Sequence, residues 1–153
     1  MITVYRFAPR QFINDLSGKG ALLYGGRWNS IGLPAVYTSY TISLALVELF
    51  IHKQTYQDIL VNELMEITID ETLTSIIENK KLKKYWQSDA QYSQLMGNDF
   101  LTNPQNLCLQ VPSAIIEEEN NLVLNPQHKD FYKKVHIKNV RSFSFDNRLF
   151  KTA

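Results

Sequence analysis

Arg27 and Glu48 are the two charged residues whose settings suggest chemistry. Arg27 follows a pair of glycines in "ALLYGGRWNSIGLPAVYTS", residues 21–39. Glycine lets the backbone bring its planar guanidinium close to a ligand, and the fork suits a phosphate or carboxylate; the alternative is an ordinary surface arginine. Glu48 is the only carboxylate between Asp15 and Asp58, and it interrupts the apolar run "LALVELFI". Such a residue either marks the polar edge of an amphipathic helix or enters a cleft, where it can orient a hydroxyl or stabilise positive charge. Tyr24, Trp28 and Tyr37 flank the arginine and can stack on a flat heterocycle or fill a core. Ser113, beside a proline in "VPSAII", is a positioned hydroxyl or a plain turn serine, and lacks the G-x-S-x-G setting of a hydrolase nucleophile. Asn125 and His128 in "NPQH" line a pocket or close a loop as a helix cap.

These residues need elements to hold them. "ITVYRF" alternates and is rich in β-formers, which predicts an opening strand over 2–7. The stretch 14–34 carries five of the six glycines without a period and reads as mostly loop. "AVYTS" is a short strand, and "TSYT" caps a helix over about 41–53 whose core face is Ile42, Ala45, Leu46, Leu49 and Phe50. Met65, Ile67 and Ile69 alternate with polar residues in a half-buried strand. Residues 71–104 read as two polar helices. "LCLQVPSAII" and "NNLVLNP" are strands ending at prolines, and a short helical turn over "QHKDFYKKV" leads to a last strand in "HIKNVRSFSFD". This order suits one α+β domain with one or two mostly antiparallel sheets.

Composition excludes several classes. With 153 residues, 44% hydrophobic and 20% charged, the chain fits a single globular domain. Its longest apolar run is too short to span a bilayer, and its start lacks the pattern of a signal peptide, so a cytoplasmic location away from membranes is expected. One cysteine and three histidines without ligand-like spacing predict no metal site. Sixteen basic against fifteen acidic residues leave a net charge of +1, too little for direct nucleic-acid binding. The lysines of "NKKLKKYW", 79–86, read as a solvated helix end near its negative dipole.

Together "YRF", "GGRWNSIGLPAVYTS" followed by "SLALVE", then "VPSAII" and "NNLVLNPQH" resemble the RES domain family, the toxin half of bacterial toxin–antitoxin pairs. The resemblance spans nearly the whole chain, so 1–153 is expected to be one RES domain. The arginine, glutamate and serine for which the family is named fall on Arg27, Glu48 and Ser113, and its cleft tyrosine on Tyr37. The resemblance implies an ADP-ribosyltransferase-like α+β fold, with mostly antiparallel, split sheets flanked by helices, and consumption of NAD+.

Cleaving the nicotinamide–ribose bond builds oxocarbenium-like charge on the sugar while nicotinamide leaves neutral, so no general acid is required. On that basis Glu48 addresses the ribose and Arg27 the pyrophosphate. Tyr37, with Trp28 or Tyr24, holds the nicotinamide, Ser113 positions ribose or ring, and Asn125 and His128 are assigned to the pocket wall. NAD+ is the substrate and no other cofactor is implied; water or inorganic phosphate is the acceptor, the choice that separates a glycohydrolase from a phosphorylase. Transfer of ADP-ribose to a protein is the alternative reaction, and a non-catalytic binding module the alternative class. The implied partner is an Xre-like helix-turn-helix antitoxin, and either a homodimer of this chain or a toxin–antitoxin hetero-oligomer is expected. As cleft residues without structural partners, Arg27 and Glu48 are each expected to cost about 0.5 kcal/mol or less on replacement by alanine.

Overall fold

The computed structural model describes residues 1–53, 55–72 and 75–150. Alternation in "ITVYRFAP" produces β1 (Ile2–Pro9), with Val4 and Ala8 buried on one face. Its long partner β3 (Asn62–Ile69) runs antiparallel in a continuous register from Ile2↔Ile69 to Pro9↔Asn62. On the far side of β3 lies β7 (Val135–Ser142).

A second group of strands is built from β5 (Cys108–Pro112), β6 (Asn120–Leu124) and β2 (Val36–Ser39), paired antiparallel in that order. The short β4 (Ser75–Ile76) adds parallel to β5 at the edge, giving one seven-stranded sheet in the order β4-β5-β6-β2-β1-β3-β7. Between β2 and β1 there is a single register pair, Tyr5↔Ser39. The sheet is therefore continuous but nearly split at that seam, in keeping with the expected α+β, mostly antiparallel design.

One face of the sheet buries Val4, Val36, Met65, Ile67, Leu122 and Leu124. A second cluster joins Trp28, Trp86, Phe100, Leu109, Val111 and Val123. The helix α2 (Ile42–His52) is capped by Thr41, whose side chain accepts from the Leu44 N–H. It packs on β1 and β2, astride the seam, and shares a third apolar cluster of Leu49, Ile59 and Phe145 with α3 (Tyr56–Leu60). Its buried side chains are Leu44, Ala45 and Leu49, whereas Ile42, Leu46 and Phe50 are only half covered.

Two segments differ from expectation. The glycine-rich stretch contains a short helix, α1 (Lys19–Tyr24), bracketed by Gly18 at φ 73° and Gly25 at φ 74°, which supply the left-handed backbone that starts and stops it. Residues 71–104 hold one α-helix among the described residues, α4 (Ala90–Leu101), capped by Asp89. The lysine run 79–86 is not a helix end: a 3₁₀ turn over Asn79–Lys81 is followed by irregular chain to Tyr85 at φ 62°, where a second 3₁₀ turn, Trp86–Ser88, begins, with β4 pairing before the run and the buried Trp86 at its end. The last short helix, α5 (Phe131–Lys134), lies just before β7. Among the described residues no helix is long and apolar enough to cross a membrane, and no group of three acidic, histidine or cysteine side chains could hold a metal ion.

Candidate active site

Arg27 lies on a tight loop between α1 and β2. Gly26 and Asn29 bridge each other across it, the Gly26 N–H donating to the Asn29 carbonyl at 3.0 Å. Asn29 is fully buried and organises the turn: its Nδ2 donates to the carbonyls of Ala21, Ser30 and Leu33 at 2.8, 3.2 and 3.0 Å. Tyr37 braces the same loop from β2. Its hydroxyl donates to Asn29 Oδ1 at 2.6 Å and accepts from the Trp28 N–H at 2.9 Å. Burial pushes the Tyr37 phenol well above its ordinary range, against the smaller opposing effects of the Trp28 N–H and the Arg27 charge. It is a neutral hydroxyl at physiological pH.

Held this way, Arg27 sets its guanidinium carbon 5.9 Å from the centre of the Trp86 ring. Its Nη1 is buried with no hydrogen-bond partner among the described residues. A buried guanidinium N–H left unsatisfied is costly unless something accepts from it, so the group is suited to an anion.

Glu48 projects from α2 toward the ends of β5 and β6. Its Oε1 accepts from Ser113 Oγ and from Asn121 Nδ2, both at 2.8 Å. Ser39 Oγ in turn donates to Asn121 Oδ1 at 2.6 Å. Ser113 sits in a turn where its oxygen accepts from the N–H groups of Ile115 and Ile116, each at 3.1 Å. Both donors reach Oε1, which leaves Oε2 without a donor among the described residues. Neither Glu48 nor Arg27 belongs to an ion pair among those residues. Tyr37 and Ser39, two residues apart on β2, share one face of the sheet, so the brace of the arginine loop and the support of the carboxylate belong to the same short strand.

The structure thus joins Arg27 with Tyr37, and Glu48 with Ser113, as two braced units placed in succession along β2. It revises the remaining assignments. Ser113 is fully buried and spends its hydrogen on Glu48, so it supports the carboxylate. Trp28 is 2% exposed and packs against Trp86 at 5.5 Å between ring centres, which makes it core. Tyr24 is 82% exposed at the end of α1, and its side chain makes no hydrogen bond or ring contact among the described residues. Asn125 lies at the other end of β6 from Asn121, roughly 13 Å along the strand. Its amide is used up on the carbonyls of Asn103 and Asn106 and on the Gln127 N–H. His128 accepts from the Asp130 N–H through Nδ1, a local turn bond.

Asn29, Ser39 and Asn121 are the site residues that sequence reasoning missed. Tandem asparagines opening a strand in "NNLVL" are the available signal, since asparagine is disfavoured in strands unless its side chain is put to use. An open depression of about 520 Å³ is lined by Tyr40, Thr41, Leu44, Gln110, Glu119 and Asn120 among others. It adjoins the carboxylate cluster but includes none of Arg27, Tyr37, Glu48 or Ser113.

The arrangement holds a cation and a carboxylate at separate fixed points without letting them neutralise each other. The RES domain family profile matches residues 3–146. A protein named Toxin Res from Photorhabdus laumondii is 35% identical over 97% of this chain and 97% of its own length. Another Toxin Res, from Yersinia enterocolitica, is 35% identical over 95% and 98%. A Prs ADP-ribosylating toxin from a Sphingobium species is 34% identical over 92% and 89%. Among solved structures, a chain of the M. tuberculosis MbcT–MbcA toxin–antitoxin complex superposes with a TM-score of 0.72 at 21% identity, covering 94% of this chain and 84% of that one.

Proposed function

The chain belongs to the RES domain family, and from that premise we propose that it is the toxin of a toxin–antitoxin pair that halts growth by cleaving the nicotinamide–ribose bond of NAD+. The observation that carries the reading is the Glu48 carboxylate, anchored through Oε1 by Ser113 and Asn121 and in no ion pair among the described residues. Anchoring costs nothing at the moment of reaction, so the negative charge is already in place where positive charge develops on the ribose.

In the reaction the bond between the pyridinium nitrogen and the ribose anomeric carbon breaks, and its electron pair neutralises the ring. A new bond forms from that carbon to an acceptor oxygen, whose proton passes to solvent. Glu48 stabilises the oxocarbenium-like sugar and orients its hydroxyls. Arg27, with Nη1 free to donate, binds the pyrophosphate. Water as acceptor makes the enzyme a glycohydrolase, and inorganic phosphate makes it a phosphorylase. An antitoxin of the Xre-like helix-turn-helix kind is the partner that restrains it.

Incubating the purified chain with NAD+, with and without phosphate, and quantifying nicotinamide, ADP-ribose and its phosphate ester tests the reading. Nicotinamide release with a matching free product supports it. A cooperatively folded protein that releases no nicotinamide overturns it. Transfer of ADP-ribose to a protein side chain is the second reading, favoured by the similarity to the Sphingobium toxin; it predicts nicotinamide release with the label found on protein.

A further inference from the structure

The loop that carries Arg27 is gripped from a second side by one face of α4. Ser93, Gln94, Gly97 and Asn98 stand at helical positions i, i+1, i+4 and i+5, which share a face. Ser93 Oγ donates to the Arg27 carbonyl at 2.6 Å, and Gln94 Nε2 donates to the Gly26 carbonyl at 2.9 Å. Asn98 accepts from the Ser30 N–H at 2.9 Å and donates to Ser30 Oγ at 2.7 Å. Between these bonds, Gly97 lies so close to the Trp28 carbonyl that a Cβ would stand 1.7 Å from its oxygen.

The carbonyls of Gly26, Arg27 and Trp28 therefore all turn toward α4. Fixing three successive peptide planes fixes the direction in which the Arg27 side chain leaves the backbone. Packing a helix on a loop does not by itself require this: apolar contact, supplied here by Trp28 and Phe100 in the same cluster, is indifferent to the orientation of carbonyls. A glycine inside a helix also weakens the helix, so its place at the tightest approach has a steric use.

We propose that α4 is a positioning element for Arg27. Its polar face sets the reach of the guanidinium, and through it the affinity for the anionic part of a dinucleotide, without touching that ligand. The inference rests on the proposed role of Arg27 in binding the substrate. It makes Gln94 and Asn98 determinants of KM and leaves kcat to Glu48.

The test compares Gln94→Ala, Asn98→Ala and Gly97→Ala with Leu95→Ala, whose side chain is 71% exposed on the same helix. Nicotinamide release is followed against NAD+ concentration, in the wild type and in an Arg27→Ala background. Gln94→Ala is expected to raise KM about tenfold, the scale of one lost hydrogen bond, with kcat within about twofold. In the Arg27→Ala background the same change is expected to do nothing further, because its route to the ligand is gone. An unchanged KM for both Gln94→Ala and Asn98→Ala, or an equal effect with and without Arg27, overturns the proposal.

If the wild type releases no nicotinamide, the proposed function fails, and tryptophan emission then decides this inference separately. The two tryptophans, Trp28 and Trp86, both touch the loop assembly. Gln94→Ala and Gly97→Ala should shift their emission while Leu95→Ala does not; equal spectra for all of them overturn it.

Discussion

Ser113 Oγ donates to Glu48 Oε1 at 2.8 Å while the N–H groups of Ile115 and Ile116 donate to the same hydroxyl oxygen. The serine is thus a relay that ties a turn of backbone to a carboxylate. Ser113→Ala is expected to lower kcat for nicotinamide release by about 10- to 100-fold, with KM changed by less than about threefold, since ground-state binding is left to Arg27. Steady-state kinetics check this, and a loss confined to KM would place the serine against the ligand instead.

Glu48 carries structural partners, which alters what its removal should cost. In Glu48→Ala the Ser113 hydroxyl and the Asn121 amide both lose an acceptor. The variant is expected to lose about 1–3 kcal/mol in denaturant unfolding, above the 0.5 kcal/mol expected of an isolated cleft residue, and to lose growth arrest. Glu48→Gln keeps an acceptor oxygen but not the charge, and should recover most of the stability while remaining inactive.

Arg27→Lys should behave like Arg27→Ala. A lysine keeps the positive charge but not the planar fork that lies against Trp86 and offers Nη1. Both variants are expected to raise KM for NAD+ by about tenfold or more and to relieve toxicity in cells. Full activity in Arg27→Lys would reduce the residue to a general positive charge.

Two buried protons make alkaline pH destabilising. Burial raises the Tyr37 phenol above its ordinary value, and pushes the Cys108 thiol up to about 12 with a further push from Glu71. A group whose folded pKa lies above its unfolded one binds more protons in the folded state across that interval. Its stabilisation is complete below the unfolded pKa and is lost as pH rises through the folded value. For Cys108 the loss begins near pH 9 and for Tyr37 near pH 10, the ordinary values of the two groups. Unfolding midpoints measured from pH 7 to 11 should fall, less steeply in Cys108→Ala. In the native protein at neutral pH, Cys108 should resist maleimide until the chain unfolds, because it is fully buried.

Much of the frame is legible in the chain because it rests on local signals. Alternation marks β1 and β3, Thr41 marks the start of α2, and Pro112 and Pro126 bound the strand ends. What escapes is non-local. β4 is two residues long and exists only because β5, more than thirty residues later, pairs with it. The helix α1 is too short to show a period and is defined by its flanking glycines. In the site, the charged pair Arg27 and Glu48 stands out by composition, but their supports do not. Asn29, Ser39, Asn121 and the α4 face act through side-chain geometry that depends on the completed sheet. Conversely, Asn125 and His128 carry chemically capable groups already engaged in their own turns.

The four residues of β2 also act as a ruler. Tyr37 steadies the loop of the cation and Ser39 supports the amide that steadies the carboxylate, one strand repeat further along the same face. The supports of the two charges are therefore set one strand repeat apart, roughly 7 Å. Inserting or deleting one residue in β2 would turn one of these side chains to the opposite face of the sheet, so the site is lost through misalignment even where every functional residue survives.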